Sequence, residues 1–174
     1  LGAWLGDGHS AAARVTTADP EIVDRVVLAG YRVREVHPIT YSVQAANCGV
    51  CGCDVPDGRF APACGHPRPS LQQDLRRIGV LGAKHIPLEY LPGSLKQRRA
   101  LLAGLLDTDG TVGFKGQVQY ASTSQRLADG VFELIAGLGY RPTIHTKTVR
   151  GRTPESSIAY EVVFSCDDDV FGIE

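Results

Sequence analysis

An internal duplication is the feature that most constrains how this 174-residue chain can fold. An apolar stretch with small residues inside it ends in Asp-Gly at Asp7 (LGAWLGDG, from residue 1), and again at Asp109 (LAGLLDTDG, from residue 102). Farther along each half, Gly-Tyr-Arg at residues 30–32 is echoed at residues 139–141. Because both matches occur in the same order, we expect two structurally similar halves.

Hydrophobic patterning predicts the same order of elements in each half. A short helix ends at the Asp-Gly, a strand or hairpin follows, and an amphipathic helix precedes two strands with alternating polar side chains. The amphipathic helices begin near Asp19 and Ser124, which are good N-cap residues. The predicted strands are 14–17, 31–37 and 39–45, then 111–114, 117–122, 143–149 and 158–165, with a further helix at 71–78. The expected fold class is α+β, with an αββαββ unit made twice about a pseudo-two-fold axis.

Composition indicates a globular chain. Hydrophobic residues make up 43% and charged residues 21%, and the longest apolar runs are far shorter than the roughly 20 residues of a membrane span. The net charge of −1 is unevenly distributed, since residues 1–160 hold 18 basic and 14 acidic side chains, a charge of +4. This permits nucleic-acid binding without arguing for it. The chain has no Met and no signal peptide, so we expect an internal piece of a longer polypeptide or a trimmed chain, and a cytoplasmic location.

The motif sequences resemble those of a known family. LAGLLDTDG at residues 102–110 matches the name motif of the LAGLIDADG homing endonucleases at seven of nine positions. The first copy resembles that motif as written in endonucleases carried inside inteins, without its leading residue. Between the copies, Lys84-His-Ile-Pro87 resembles their Lys-x-Ile-Pro block. The resemblance covers the whole chain and implies a DNA endonuclease with two β-saddles.

Asp7 and Asp109 end the two predicted motif helices and are the expected catalytic metal ligands. Four small residues would let these helices approach closely: Gly2, Ala3, Ala103 and Gly104. Two carboxylates at the negative ends of two helix dipoles are unfavourable unless a cation binds between them. Mg²⁺ suits such a site because it prefers a few carboxylates with water and phosphate oxygen. For the isolated tetrapeptide 107–110, an Asp-rich turn is the competing interpretation.

Lys84 is expected to polarise the phosphate or the attacking water, and an ordinary surface lysine is the alternative. An equivalent lysine in the second half would fall beyond residue 174, and Lys147 is the remaining candidate. A second active site without a lysine would leave a nicking or inactive enzyme. Asp107, whose counterpart in the first copy is Leu5, is expected to have a structural or helix-end role.

The strands are expected to read base edges in the DNA major groove, where Arg pairs well with guanine and Gln with adenine. Each side chain taken alone is more often a solvated surface residue. The candidates are Arg14, Arg32, Arg34, Lys115, Gln117, Gln119, Lys147 and Arg150.

Four of the five cysteines lie between residues 48 and 64, which favours a metal site over disulfides. Cys48, Cys51, Cys64 and His66 offer three sulfurs and one nitrogen for structural Zn²⁺, with Cys53 as a substitute ligand. A redox-active Cys-x-x-Cys pair is the rival interpretation. Cys166 and Trp4 are expected in the core.

These expectations define the predicted organisation. Residues 1–47 form the first LAGLIDADG half, 48–66 an inserted zinc-binding loop, and 67–99 the rest of that half with the Lys84 connector. Residues 100–166 form the second half, and 167–174 an acidic tail leading back to an intein splicing domain. Double-stranded DNA and that splicing domain in cis are the expected partners of a monomer, with no membrane association. A helicase is one candidate host, and splicing by this chain alone is not predicted.

The resemblance thus predicts metal-dependent hydrolysis of phosphodiester bonds at a long, specific double-stranded DNA site. A catalytically inactive DNA-binding module of the same fold is the first alternative, supported by the missing second lysine and the near-neutral charge. An RNA splicing cofactor of the same fold is the second.

Overall fold

The computed structural model describes residues 1–48, 50–55, 64–66, 70–113, 115–150, 153 and 158–173. The chain divides into two compact units. The motif unit combines Leu1–Asp7 with Ala83–Glu174, and the cysteine unit is Gly8–Gly82. Both copies of the Asp-Gly helix therefore belong to the motif unit. Among the described helices, none has the length and apolar character needed to cross a bilayer.

The secondary structure follows the predicted order closely. The helices are α1 (Gly2–Asp7), α2 (Pro20–Leu28), α3 (Leu71–Arg77), α4 (Leu95–Asp109) and α5 (Gln125–Gly137), with a 3₁₀ helix at Leu88–Tyr90. The strands are β1 (Arg14–Thr16), β2 (Tyr31–His37), β3 (Thr40–Ala45), β4 (Gly110–Val112), β5 (Val118–Ser122), β6 (Thr143–Thr148) and β7 (Ile158–Phe164).

Local sequence signals account for the helix ends. Ser94 and Gln97 form a capping box at the start of α4, so this helix begins before the motif itself. The Ser124 side chain accepts from the Leu127 backbone at the start of α5. Helix α4 is followed directly by β4 at Gly110, where a Cβ atom added to the glycine would collide with the Leu106 backbone.

In the motif unit, four antiparallel strands form a sheet in the order β4-β5-β7-β6. One face of this sheet packs against α4 and α5 and buries Tyr120, Val162 and Phe164. The opposite face carries Gln119, Glu161 and other polar residues, as expected for a sheet with one hydrated side.

In the cysteine unit, three antiparallel strands pair in the order β1-β3-β2. Val15 and Val43 lie on the side covered by α2, where Ile22 is also buried. Asp19 caps α2 by accepting from the Glu21 backbone, and Pro20 occupies its first turn.

The predicted α+β class with two antiparallel sheets is confirmed, and one detail differs. The first half has a single strand before its amphipathic helix, where the repeated αββαββ unit predicts two. The counterpart of β4 is reduced to one bridge, Gly8 with Val15, equivalent to Gly110 with Tyr120 in the second half. Phe114, predicted to end a strand, lies outside the described residues, as do 49 and 56–63 of the predicted zinc loop.

Candidate active site and cysteine cluster

Helices α1 and α4 pack with their backbones nearly in contact. A methyl group added to Gly104 would lie 2.9 Å from the backbone N of Ala3 and 3.2 Å from the Cα of Gly2. One added to Gly2 would lie 3.0 Å from the Cα of Gly104. Since backbone atoms cannot move aside as a side chain can, these small residues are required by the approach of the helices.

The helix pairing brings Asp7 and Asp109 into one electrostatic environment at the C-terminal ends of α1 and α4. Burial, then the negative charge of Asp7, raises the pKa of Asp109 to about 6, and Lys84 opposes the shift. Burial also raises the pKa of Asp7, again opposed by Lys84. Two partly buried carboxylates are costly to ionise together. A divalent cation bound between them would reduce that cost.

Lys84 acts electrostatically on both carboxylates. Its Nζ donates a hydrogen bond to the Gly6 carbonyl at the end of α1 and lies 5.5 Å from the centre of the Trp4 ring. Burial lowers the pKa of Lys84, whereas the charges of Asp109 and Asp7 raise it. A cation at the C-terminal end of α1 also interacts favourably with the helix dipole.

Two other residues predicted around the motif lie apart from this group. Asp107 accepts hydrogen bonds from the backbone N–H groups of Gly172 (2.7 Å) and Ile173 (3.2 Å). Its expected structural role is confirmed, because it anchors the C-terminal segment to α4. Lys147 is on β6 and forms an ion pair with Glu161 at 3.4 Å. It is not among the charged groups that shift the pKa of Asp109, which are Asp7 and Lys84.

The DNA-contact candidates of the motif unit lie on or beside the polar face of its sheet. Gln119 and Lys147 belong to that face, on β5 and β6. Lys115 and Gln117 are exposed in the turn between β4 and β5, and Arg150 is exposed just after β6.

Those of the cysteine unit share one face of its sheet. The strand register places Arg14, Ser42 and Arg34 in one row across β1, β3 and β2, with Arg32 opposite Gln44. Arg32 is already engaged, since its guanidinium lies 2.6 Å from Asp54 and also donates to the Val55 carbonyl. It ties β2 to the cysteine loop.

Four cysteine sulfurs converge in the cysteine unit. The Sγ atoms of Cys48, Cys51, Cys53 and Cys64 all lie within 4.8 Å of one another. The Nδ1 atom of His66 is 3.5 Å from the sulfur of Cys48. A tetrahedral zinc site with Zn–S distances of about 2.3 Å has sulfurs about 3.8 Å apart, which is compatible with this cluster.

Backbone hydrogen bonds favour the thiolate form of three of these cysteines. Backbone N–H groups donate to the sulfurs and lower the pKa of Cys48, Cys51 and Cys64. Neighbouring thiols, by contrast, raise the pKa of Cys53 to about 12. Hydrogen bonds to the Cys51, Cys48 and Cys64 sulfurs raise the pKa of His66 to about 9, so a metal binding there must displace its proton.

A glycine with a positive φ angle follows each of two of these cysteines. Gly52 and Gly65 have φ of +73° and +72°, a left-handed conformation that favours glycine. The conformation lets the chain reverse immediately after Cys51 and Cys64, so that later N–H groups reach the sulfurs.

Sequence patterns alone missed two residues of the carboxylate site. Trp4, expected only in the core, is buried but also faces the Lys84 ammonium. Tyr120 is fully buried, and the charge of Asp109 contributes to the raised pKa of its phenol. The available signals were a lone Trp inside the first motif copy and an aromatic hydroxyl on an alternating strand.

This fold and site are similar to those of LAGLIDADG-like proteins. The model of the LAGLIDADG-like domain family matches residues 96–168, which run from the start of α4 to just beyond β7. Two solved structures of the homing endonuclease I-DmoI share the fold. The mesophilic variants match with a TM-score of 0.51 and 14% identity, over 94% of this chain and 84% of theirs. A variant in complex with its target DNA and in the presence of Mn²⁺ matches with a TM-score of 0.52 and 13% identity, over 94% and 83%.

A curated relative is much more similar in sequence. The replicative DNA helicase DnaB of Mycobacterium intracellulare is 48% identical to this chain over all 174 residues. The chain spans 24% of the length of that protein.

Proposed function

We propose that this chain is the site-specific DNA endonuclease domain of an intein embedded in a DnaB-like helicase, and that it hydrolyses phosphodiester bonds with Mg²⁺. The observation that carries the proposal is the convergence of two carboxylates and one lysine at the ends of the paired motif helices. The fold shared with I-DmoI and the similarity to a DnaB protein support the DNA substrate and the host.

Each residue of the site has a distinct role in this proposal. Asp7 and Asp109 would hold the divalent cation, and the close helix packing sets the separation of their carboxylates. A bound Mg²⁺ supplies Lewis acidity and charge neutralisation at the scissile phosphate. Lys84, fixed by Gly6 and Trp4, would stabilise negative charge that develops on the phosphate oxygens.

The two polar sheet faces are the proposed DNA-reading surfaces. Each is a β-surface with outward arginine, lysine or glutamine side chains, suited to base edges in the major groove. Arg32 is proposed to position the cysteine loop as well, since it already contacts Asp54 and Val55. The proposed partners are double-stranded DNA and the host splicing domain in cis, with the chain acting as a monomer.

The function is tested by selecting sites from a random double-stranded DNA library. One arm selects molecules cut in the presence of Mg²⁺, and the other selects molecules bound without added Mg²⁺. A defined sequence recovered in both arms supports the endonuclease. Failure to enrich any sequence in either arm contradicts it.

A non-catalytic DNA-binding module is the second candidate, favoured by one specific observation. Among the described residues, Lys84 is the lysine that acts on both Asp7 and Asp109. One lysine shared by two sites fits cleavage of a single strand or none. Binding without any cutting would favour the module, and strand-specific nicks would favour a nicking enzyme.

Replacement of Lys84 by methionine is expected to slow cleavage by a factor on the order of 10², as loss of an electrostatic stabiliser does. The apolar substitute keeps the stem packed near Trp4 while removing the charge. Single-turnover cleavage of end-labelled duplex measures the effect. Lys96→Met, at an exposed position early in α4, is the control and should cleave at the wild-type rate. Equal rates for both variants would remove Lys84 from the mechanism.

We also propose that the cysteine cluster binds structural Zn²⁺. Cys48, Cys51 and Cys64 would be ligands in either of two sets, because their backbone hydrogen bonds favour the thiolate form. Mutual sulfur distances favour Cys53 as the fourth ligand, whereas its resistance to deprotonation favours His66. The bound metal would fix the loop that Arg32 joins to β2.

Cys51→Ser is expected to lose zinc and to destabilise the cysteine unit. At free zinc a thousandfold above Kd, binding contributes about 4 kcal/mol to stability, so its loss should lower the melting temperature. Elemental analysis should find one zinc per wild-type chain, and Cys166→Ser, outside the cluster, should retain it. Metal-free, folded wild-type protein would contradict the site.

The fourth ligand is identified by two further variants. If Cys53 is the ligand, Cys53→Ser lowers zinc affinity and His66→Asn retains it. If His66 is the ligand, the two results are reversed.

A further inference from the structure

The phenol hydroxyl of Tyr120 is buried in the motif unit. The side chain, at the centre of β5, is 0% exposed. Its phenol oxygen is buried and has no hydrogen-bond partner among the described residues. Because a buried hydroxyl has given up its hydration, an unpaired one is costly and uncommon in folded proteins. An aliphatic or phenylalanine side chain would fill the same space without that cost.

The position of Tyr120 connects it to Asp109. In the antiparallel pairing of β4 with β5, Tyr120 is directly opposite Gly110, the residue that follows Asp109. Strand β5 also packs against α4, which ends at Asp109. Burial, then the charge of Asp109, raises the pKa of the Tyr120 phenol, in keeping with this placement.

Ser122 is the other polar group near the phenol. It lies two residues along β5, on the same side of the strand, and lowers the pKa of Tyr120. Its geometry does not meet that of a hydrogen bond to the phenol, and its Oγ accepts from the Ser124 backbone N–H at 3.2 Å.

The first half of the chain offers a natural comparison. There the residue after Asp7 is Gly8, and its bridge partner is Val15, a buried aliphatic residue. The duplication therefore conserves the pairing position but not the hydroxyl. At this pairing position the second half has a phenol and the first half has an aliphatic side chain, so the two positions are inequivalent.

We propose that Tyr120 is a positioning residue for Asp109, donating its phenol O–H to the Asp109 carboxylate when that carboxylate holds a divalent cation. The inference rests on the proposed function of the carboxylate pair. Hydrogen bonds of this kind orient a ligand and stabilise its charge, and their loss typically weakens metal binding or activity 10- to 100-fold. Tyr120 would thus serve Asp109 while Lys84 contacts Gly6 beside Asp7.

The test is a Mn²⁺ titration of the zinc-loaded full chain, with free Mn²⁺ followed by electron paramagnetic resonance. Asp109→Asn defines the signal that belongs to the carboxylate site. Tyr120→Phe, which removes one oxygen, should weaken this binding by about tenfold. Its metal-free melting temperature should equal or exceed that of the wild type, because the unpaired hydroxyl is gone. Tyr160→Phe is the control, since the Tyr160 hydroxyl on β7 donates to Gln125 and should not affect Mn²⁺ affinity.

The outcomes separate this inference from the proposed function. Unchanged Mn²⁺ affinity in Tyr120→Phe, with binding that Asp109→Asn abolishes, overturns the role of Tyr120 alone. Lower metal-free stability with unchanged affinity also overturns it and identifies Ser122 as the partner. Mn²⁺ binding that is absent from the wild type, or insensitive to Asp109→Asn, overturns both the carboxylate metal site and the role of Tyr120.

Discussion

Replacement of Asp109 by asparagine is expected to slow cleavage of at least one DNA strand by about 10³-fold or more, equivalent to about 4 kcal/mol of transition-state stabilisation. The amide is nearly the same size as the carboxylate, so the packing of α1 against α4 is retained. It is a much weaker ligand for Mg²⁺ and carries no charge. DNA binding should survive because the two sheet faces are untouched. The measurement is strand-specific cleavage of end-labelled duplex together with a gel shift.

The control for this prediction is Asp129→Asn, the same change at an exposed position on α5. It should cleave both strands at the wild-type rate. Cleavage by Asp109→Asn at the wild-type rate would eliminate Asp109 as a metal ligand.

The raised pKa of Asp109, about 6, adds a pH dependence to the same prediction. A proton and a cation compete for this carboxylate, so cleavage should rise as pH increases through about 6. In Mg²⁺-free protein the sign for stability is opposite. The folded-state pKa is above the unfolded value, so the contribution of Asp109 is full below about pH 4 and is lost as pH rises through about 6. The melting temperature of the wild type minus that of Asp109→Asn should therefore decrease as the pH is raised from 4 to 7.

Gly104→Ala is expected to lower both stability and activity. The new methyl group would lie 2.9 Å from the Ala3 backbone N, and the helices must separate to accept it. Overpacking of this kind costs about 1–3 kcal/mol of unfolding free energy. The displacement also moves Asp7 relative to Asp109, and a misplacement of about 1 Å in an active site can reduce the rate about 10²-fold. Thermal melting and single-turnover cleavage measure the two effects.

Gly137→Ala is the matched control, because its added methyl group would meet only the flexible Arg98 side chain, at 3.3 Å. Alanine is a better helix former than glycine, so this variant should be as stable as the wild type or more so. If Gly104→Ala were equally harmless, the close approach of α1 and α4 would not be what positions the carboxylates.

Local sequence patterns predicted the elements well because the relevant interactions are local. The predicted strand at 31–37 agrees with β2, and the predicted cap Ser124 begins α5. Alternation and capping involve neighbours within a few residues, so both are visible in the amino-acid sequence. In the first half, by contrast, the pattern predicts one strand at 14–17 before the amphipathic helix, and the second strand of the αββαββ unit follows from the duplication alone. A strand of one residue pair, Gly8 with Val15, leaves no period to detect.

The same distinction between local and long-range interactions applies to the site residues. The duplication was sufficient to select Asp7 and Asp109, since two copies of one motif imply equivalent positions. The clustering of cysteines within seventeen residues predicts a metal site, but it does not choose between Cys53 and His66 as a ligand. That choice depends on distances and proton affinities within the folded loop.

The sequence by itself determined the repeated order of helices and strands, the two motif aspartates and the crowding of the cysteines. Only the tertiary structure decided that Lys84 contacts the end of α1, 78 residues earlier, and that the buried Tyr120 is paired with Gly110, the residue after Asp109. The physical reason is that periodicity and capping act between residues close in the chain. Contacts such as these depend instead on how closely distant segments pack, to within a fraction of an ångström.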